Sequence, residues 1–89
     1  MASARKGRSY RSAARRSPQL TKALRRLGRR VQQLRHEAEL SQEEAASRAG
    51  LDAKHLQTIE AGRTNPTVAT LVGLARSLGV TLSELFEGV

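Results

Sequence analysis

The sequence predicts an all-α domain of five helices that follows a basic N-terminal arm. Apolar residues recur at steps of three and four in several stretches, which places them on one face of a helix. A residue suited to the helix N-cap precedes each stretch: these residues are Ser17, Ser41, Asp52, Thr67 and Thr81. No stretch has the alternation of apolar and polar residues that is typical of a strand. Together these patterns favour a small, purely helical fold.

Charge is distributed unevenly along the 89 residues. Residues 1–35 hold 12 of the 16 Lys and Arg and no Asp or Glu, so they carry +12. Residues 36–89 hold the other 4 basic residues and all 8 acidic ones, so they carry −4, and the chain carries +8. A basic block in front of a mildly acidic domain suggests a polyanionic partner. The absence of Cys excludes disulfides and thiolate metal sites, and no apolar run is long enough to span a membrane.

Residues 1–16 combine six basic residues with almost no large apolar ones. Such a segment buries too little apolar surface to offset the entropy of ordering it, so we expect a disordered basic arm. The arm could follow DNA phosphates, act as a solubilising tail, or serve as an Arg-rich transit peptide. The composition leaves these three roles open.

Ser17 followed by Pro18 is typical of the start of a helix, which we expect to end near Glu39. Its apolar stripe consists of Leu20, Leu24, Leu27, Val31, Leu34 and Ala38. The basic residues off the stripe are Lys22, Arg25, Arg26, Arg29 and Arg30. Several of them form like-charge pairs four residues apart, which weakens an isolated helix. This basic face is therefore either simply solvated or neutralised by an anion such as a DNA backbone.

Residues 41–62 predict two short helices joined by a tight turn. Ser41 and Glu44 form a capping box for the first helix. Gly50 ends that helix, because glycine adopts the left-handed conformation without steric cost, and Asp52 caps the second helix. Helix, glycine-containing turn and helix is the helix-turn-helix arrangement.

Two further helices complete the predicted domain. One begins after Thr67 and ends near Leu78, and the last begins at the Thr81–Glu84 capping box. The residues expected to point inward from the first of them are Val68, Leu71, Leu74, Ala75 and Leu78. Leu20 and Leu24 either pack against the last helix or meet another subunit.

Several short motifs follow one another between Leu27 and Phe86: Ser-Gln at a helix start, Ala-Gly-Leu at the turn, Ile-Glu-x-Gly, Asn-Pro-Thr, and Leu-Gly-Val ahead of Leu-Ser-Glu-Leu-Phe. In this order and spacing they closely resemble the Cro/CI-type (XRE family) helix-turn-helix domains of DNA-binding transcriptional regulators. The resemblance implies a five-helix, lambda-repressor-like domain, with its motif at 41–62 and its recognition helix at about 53–61. Since the first helix is predicted to begin after Ser17, we expect the domain to span residues 17–89. Ala45 departs from the Leu usual in the family, at a core position.

The resemblance also implies which residues contact double-stranded DNA. The base-reading positions are Ala53, Lys54, Gln57 and Thr58. Gln42 matches the phosphate-contacting Gln of the family. With it, the residues that we expect to contact phosphates are Ser41, His55, Arg63 and Asn65. Arg35 and Glu60 match two positions that commonly pair between the first and third helices, so we expect a structural ion pair there. We expect no catalytic residues, cofactor, metal site, small-molecule ligand or membrane association.

These expectations point to a sequence-specific regulator of the repressor or controller type. A domain of this size covers one half-site, so we expect a homodimer on a pseudo-palindromic operator. Its contact would use the last helix, through whichever of Leu82, Leu85, Phe86 and Val89 the core leaves exposed. The alternatives are a transcription adaptor of the multiprotein-bridging-factor type, which binds proteins, and non-specific RNA or nucleoid binding through the arm. Because the resemblance is mainly to bacterial proteins, we expect a cytoplasmic, nucleoid-associated location.

Overall fold

The structure, a computed structural model, describes residues 17–89. The predicted basic arm, residues 1–16, lies outside the described residues. Five α-helices follow one another: α1 is Pro18–Glu37, α2 is Gln42–Ala49, α3 is Ala53–Glu60, α4 is Val68–Leu78 and α5 is Leu82–Leu85. The part of the chain from residue 17 onwards contains no strand. The prediction of an all-α fold with five helices is confirmed.

Each helix begins at the N-cap that the sequence predicts. A side-chain oxygen of the cap accepts a hydrogen bond from the backbone N–H three residues on, at distances between 2.8 and 3.1 Å. Ser41 and Thr81 form complete capping boxes, because Glu44 and Glu84 accept the cap's backbone N–H in return. The hydrogen bond from that backbone N–H, followed by the one with the cap hydroxyl, lowers the pKa of each carboxyl below its ordinary value.

The ends of α1 and α2 are set by residues in the left-handed conformation. Gly50 follows α2 with a φ of 75°, as its sequence position predicts. Helix α1 ends at Glu37 rather than at Glu39, because Glu39 itself is left-handed with a φ of 58° and turns the chain. Leu40 is thereby buried in the core. Ala38, expected on the apolar stripe, lies in this turn and is exposed.

The core is formed by apolar side chains from all five helices and the turn before α2. Its members are Leu27, Val31, Leu34, Leu40, Ala45, Ala46, Leu56, Ile59, Leu71, Leu74, Ala75, Leu78 and Leu85. Helix α2 packs on α3 and α4, while α1 packs on α3 and α5. Val68, expected to point inward, is 67% exposed. The expectation was wrong because the first turn of α4 lies outside the core, and residues 67–69 are all exposed.

Small residues allow α2 and α4 to approach closely. Ala45, where the resembling family has Leu, is fully buried. The Ser77 hydroxyl on α4 donates a hydrogen bond to the Ala45 carbonyl oxygen at 2.8 Å. A methyl group at Gly73 would lie 3.0 Å from the Ala49 carbonyl oxygen, so a larger residue there would press the two helices slightly apart. The departure at Ala45 therefore fits the closeness of these two helices.

Helix α1 crosses α3 at two glycines. A methyl group at Gly28 would lie 2.6 Å from the Ile59 carbonyl oxygen and would also overlap the Glu60 carbonyl. Gly62, at a φ of 71°, lies against the backbone of Arg25, and a methyl group there would be 3.0 Å from the Arg25 Cα atom. The backbones of the first and third helices are thus in direct contact, which fixes the orientation of α3.

Replacing Gly28 by Ala should lower the free energy of unfolding by about 1–3 kcal/mol, the usual cost of overpacking a core. The loss is expected even though Ala is the better helix former by about 1 kcal/mol, because the obstructing atoms are backbone atoms that cannot rotate away. Urea unfolding measures the change. Gln32→Ala, at an exposed position of the same helix, is the control and should change stability little. A Gly28→Ala variant as stable as the control would contradict the close contact.

The N-terminal half of α1 packs within the chain. Leu24 is 5% exposed, and Leu20 is half-buried at an apolar cleft that Phe86 and Val89 also line. Arg30, expected on the basic face, instead connects α1 to α5. Its guanidinium donates to the Glu84 carbonyl oxygen at 2.9 and 3.0 Å and lies 3.1 Å from a Glu87 carboxylate oxygen. Burial within the chain, one of the two alternatives, thus holds for Leu24; the half-buried Leu20 lines the cleft beside Phe86 and Val89, which follow α5.

Candidate nucleic-acid interface

The candidate interface is the exposed side of α3 together with the start of α2. The turn between these helices is closed by the Leu51 N–H, which donates to the Ala46 carbonyl oxygen at 2.8 Å. Leu56 and Ile59 anchor α3, since they are 0% and 1% exposed. Because these two residues occupy the buried side of α3, Lys54 and Gln57 lie on its exposed side. The helix is therefore held firmly while it presents a polar surface.

The four residues predicted to read bases lie together on the first two turns of α3. Lys54 and Gln57 are exposed, while Ala53 and Thr58 are half-buried. The Thr58 hydroxyl donates to the His55 carbonyl oxygen at 2.7 Å, so its proton is used within the helix. Residues at these spacings share one side of a helix. The geometry brings a cation, an amide and two small apolar groups to one surface.

The five residues predicted to contact phosphates are in less uniform surroundings. Ser41 is exposed, but its hydroxyl accepts the Glu44 N–H as part of the cap. The amide of Gln42 donates to a Glu60 carboxylate oxygen at 2.9 Å, which leaves its other N–H and its carbonyl oxygen for a partner. His55 is half-buried. The last two of the five lie exposed in the connection between α3 and α4: Arg63 and Asn65.

A buried ion pair lies beneath these residues. Arg35 Nε donates to Glu60 Oε2 at 2.7 Å, and Arg35 Nη2 donates to Glu60 Oε1 at 3.1 Å. The remaining guanidinium nitrogen, Nη1, donates to the Leu40 carbonyl oxygen at 3.0 Å. The two side chains are only 9% and 4% exposed. With Gln42 as a further donor to Glu60, this bidentate pair connects α1, the start of α2 and the end of α3.

Electrostatics within the interface favour some anion contacts over others. Backbone N–H groups at a helix N-terminus attract anions, but the capping box and Asp52 already satisfy one such group at α2 and one at α3. Glu43 adds an exposed negative charge in the first turn of α2. Lys54 is the one cation within α3, and Arg63 follows its end. Lys54 and Arg63 are therefore the exposed cations that α3 and the residues directly after it present.

Two structurally important features of this region are not apparent in the sequence. Gly28 lies in mid-helix, where its only local signal is a poor helix former on the side of the apolar stripe. Arg30 resembles its basic neighbours in the sequence, and the partners that connect it to the end of the chain, Glu84 and Glu87, lie more than 50 residues away. Among residues 17–89 no group of three or more His, Cys, Asp or Glu is placed to hold a metal ion. None of the described helices combines the length and the apolar character needed to cross a bilayer.

Comparison with known proteins identifies the relatives of this domain. The family model described as a helix-turn-helix domain matches residues 26–87. An uncharacterised HTH-type transcriptional regulator of Sinorhizobium fredii, y4dJ, is 46% identical over 59 residues, which are 66% of this chain and 77% of that protein. Control protein C.MunI of a Mycoplasma species is 38% identical over 65 residues, 72% of this chain and 88% of that protein. The crystal structure of the restriction-modification controller protein C.AhdI from Aeromonas hydrophila matches with a TM-score of 0.69 and 34% identity, over 70% of this chain and 94% of that one.

Proposed function

Since the chain belongs to the XRE-type helix-turn-helix family of transcriptional regulators, we propose that it binds a specific double-stranded DNA site and acts as a repressor or controller. In this proposal α3 enters the major groove and its first two turns contact base edges. Lys54 donates to guanine O6 and N7, and Gln57 pairs with adenine. Ala53 and the Thr58 methyl group contact thymine methyl groups.

The observation that carries this proposal is the way α3 is fixed beneath its exposed side. Two fully buried side chains, Leu56 and Ile59, anchor it from one side, and the bidentate Arg35–Glu60 pair holds its last turn. Base contacts discriminate only when the donors and acceptors are held at defined positions. A helix held in this way supports sequence-specific reading better than a purely electrostatic attachment.

Phosphate contacts complete the proposed complex on both sides of α3. Gln42 supplies one contact through the free part of its amide, and His55 and Ser41 lie nearby in the motif. Arg63 and Asn65 supply the contact beyond the end of α3. Such contacts set the register of the protein on the duplex and carry little sequence information.

Selection of binding sites from random duplex DNA tests the proposal. The full chain is incubated with the library at near-physiological salt, and the bound fraction is sequenced over several rounds. We expect a short motif, present as two inverted copies. Enrichment of no motif would contradict sequence-specific binding, because non-specific affinity treats all duplexes alike.

We propose further that the protein works as a homodimer through α5 and the residues after it. Leu82 and Phe86 are 37% and 41% exposed, and Val89 is half-buried, whereas Leu85 is fully buried and not accessible to a partner. Exposed apolar residues near one another are typical of an interface, and a two-fold contact would match an inverted repeat.

Replacing both Leu82 and Phe86 by Ser should shift the protein toward monomer, because it removes the apolar area that the interface would bury. Sedimentation equilibrium over a range of concentrations measures the dimer dissociation constant, which should rise by at least about tenfold. Val72→Ser, which removes an equally exposed apolar side chain from α4, is the control and should leave the constant unchanged. A wild-type protein that stays monomeric with and without operator DNA would overturn the proposal.

A further inference from the structure

Helix α1 carries a line of cations, here called the basic stripe, that consists of Lys22, Arg25, Arg26 and Arg29. All four are exposed, and together with Pro18 and Thr21 they line an open cleft along the helix. Their spacing of three, four and seven residues places them on one side of α1. The stripe lies in and just beyond the N-terminal half of α1.

The stripe has no carboxylate partner among residues 17–89. The two ion pairs formed there use the neighbouring arginines Arg30 and Arg35. Within the stripe, Lys22 with Arg26 and Arg25 with Arg29 are like-charge pairs at i and i+4, which destabilise a helix. The first turn of α1 also has no acidic residue to offset positive charge at that end of the helix dipole. An anion bound along the stripe would relieve this repulsion.

The basic stripe lies next to the connection between α3 and α4. Arg25 lies directly against Gly62, and the next residue is the exposed Arg63. The apolar cleft beside this half of α1 is lined by both Leu20 and Asn65. Helix α1 therefore runs alongside the connection that carries two of the proposed phosphate contacts, so the basic surface continues from Arg63 onto the stripe.

We propose that the basic stripe binds the phosphate backbone of the same duplex, next to the phosphates contacted by Arg63 and Asn65. This inference rests on the proposed function and adds a second contact surface to it. From Lys22 to Arg29 the stripe extends roughly 10 Å at 1.5 Å per residue. One DNA strand carries a phosphate about every 3.4 Å along the axis, so the stripe matches about three phosphates. Guanidinium groups suit this role because their planar fork pairs with phosphate oxygens.

Binding through the stripe would supply affinity without sequence preference, because it releases counterions and touches no base edge. The test is a salt titration of the full chain on operator duplex and on a scrambled duplex of equal length. The stripe variant is Lys22→Gln with Arg29→Gln, which removes two cations and keeps good helix formers. The control is Arg48→Gln with Arg76→Gln, which removes two exposed cations from a different cleft.

In the stripe variant the slope of log K against log salt should be less steep by about 1.8, because each of the two lost phosphate contacts contributes about 0.9. Between 50 and 200 mM salt that difference amounts to about 12-fold in affinity. The same flattening is expected on both duplexes, with the operator preference unchanged, and the control should keep the wild-type slope. Thermal unfolding confirms that both variants are folded.

Equal slopes for the stripe variant, the control and the wild type would overturn the proposal. So would a loss of operator preference, because it would mean that the stripe contacts bases. The proposed function fails separately, if the wild type enriches no sequence from random DNA. In that case the slope on scrambled duplex still decides whether the stripe binds phosphates.

Discussion

Replacing Glu60 by Gln should lower the free energy of unfolding by about 3–5 kcal/mol, the usual cost of removing one partner from a buried ion pair. The Glu60 carboxylate accepts three hydrogen bonds, two from Arg35 and one from Gln42. An amide of the same shape keeps one oxygen but directs its NH₂ group at donors. Arg35 would then remain buried with its charge unbalanced, which is the costly state.

The loss should be visible as a decrease in Tm of more than about 10 °C, since 1 kcal/mol shifts a domain of this size by about 4–8 °C. Glu43→Gln is the matched control, because it removes an exposed carboxylate from the first turn of α2 and should cost less than about 1 kcal/mol. Replacing Arg35 and Glu60 together by Met should recover part of the loss, because no buried charge is then left unpaired. A Glu60→Gln variant within about half a kcal/mol of wild type would show that the pair contributes little.

Most helix starts and ends could be predicted from the sequence, because they depend on neighbouring residues. An N-cap such as Ser41 acts on the N–H three residues on, and Gly50 acts on its own φ, so both signals lie within one turn of helix. The end of α1 was misplaced for a related reason. Nothing local marks Glu39 as left-handed, a conformation that non-glycine residues adopt at a cost, and its consequence, the burial of Leu40, depends on residues distant in sequence.

Features that depend on residues distant in sequence could not be predicted in the same way. Gly28 is required by the carbonyl groups of α3, about 30 positions later in the chain. Arg30 belongs to a basic run, and only the position of α5 distinguishes it from Arg29. For the candidate site, the sequence identified the motif and its surface residues through a family pattern. It did not show that the Gln42 amide donates a hydrogen bond to Glu60, because that contact depends on how the start of α2 lies against the end of α3.

The basic stripe and α3 are expected to contribute differently to DNA binding, because only α3 carries the proposed base-reading residues. Discrimination between sequences requires groups on base edges, and affinity for any duplex requires only cations near phosphates. Lys54 is the one cation within α3, whereas α1 carries four cations in the stripe alone. Changes in the stripe are therefore expected to affect all duplexes equally, and changes in α3 to affect the operator most.

Replacing both Lys54 and Thr58 by Ala should remove most of the preference for the operator and keep most of the non-specific affinity. Each good base contact discriminates by about 1–3 kcal/mol, so losing two should reduce the preference by about 30-fold to about 20,000-fold. The fold should survive, because Lys54 is exposed, Thr58 is only half-buried and Ala favours helices. Thr58 loses only a hydrogen bond to its own helix, from its hydroxyl to the His55 carbonyl oxygen.

Competition between labelled operator and scrambled duplex measures this preference at fixed salt. The matched control is Ser47→Ala with Arg48→Ala, which removes a hydroxyl and a cation from exposed positions of α2 and should keep the wild-type preference. The Lys54 and Thr58 variant should bind the two duplexes with nearly equal affinity. The slope of its plot of log K against log salt should decrease by at most about 0.9, which is the contribution of one cation. If its preference equals that of the control, α3 does not read the bases, and sequence recognition must lie elsewhere in the chain.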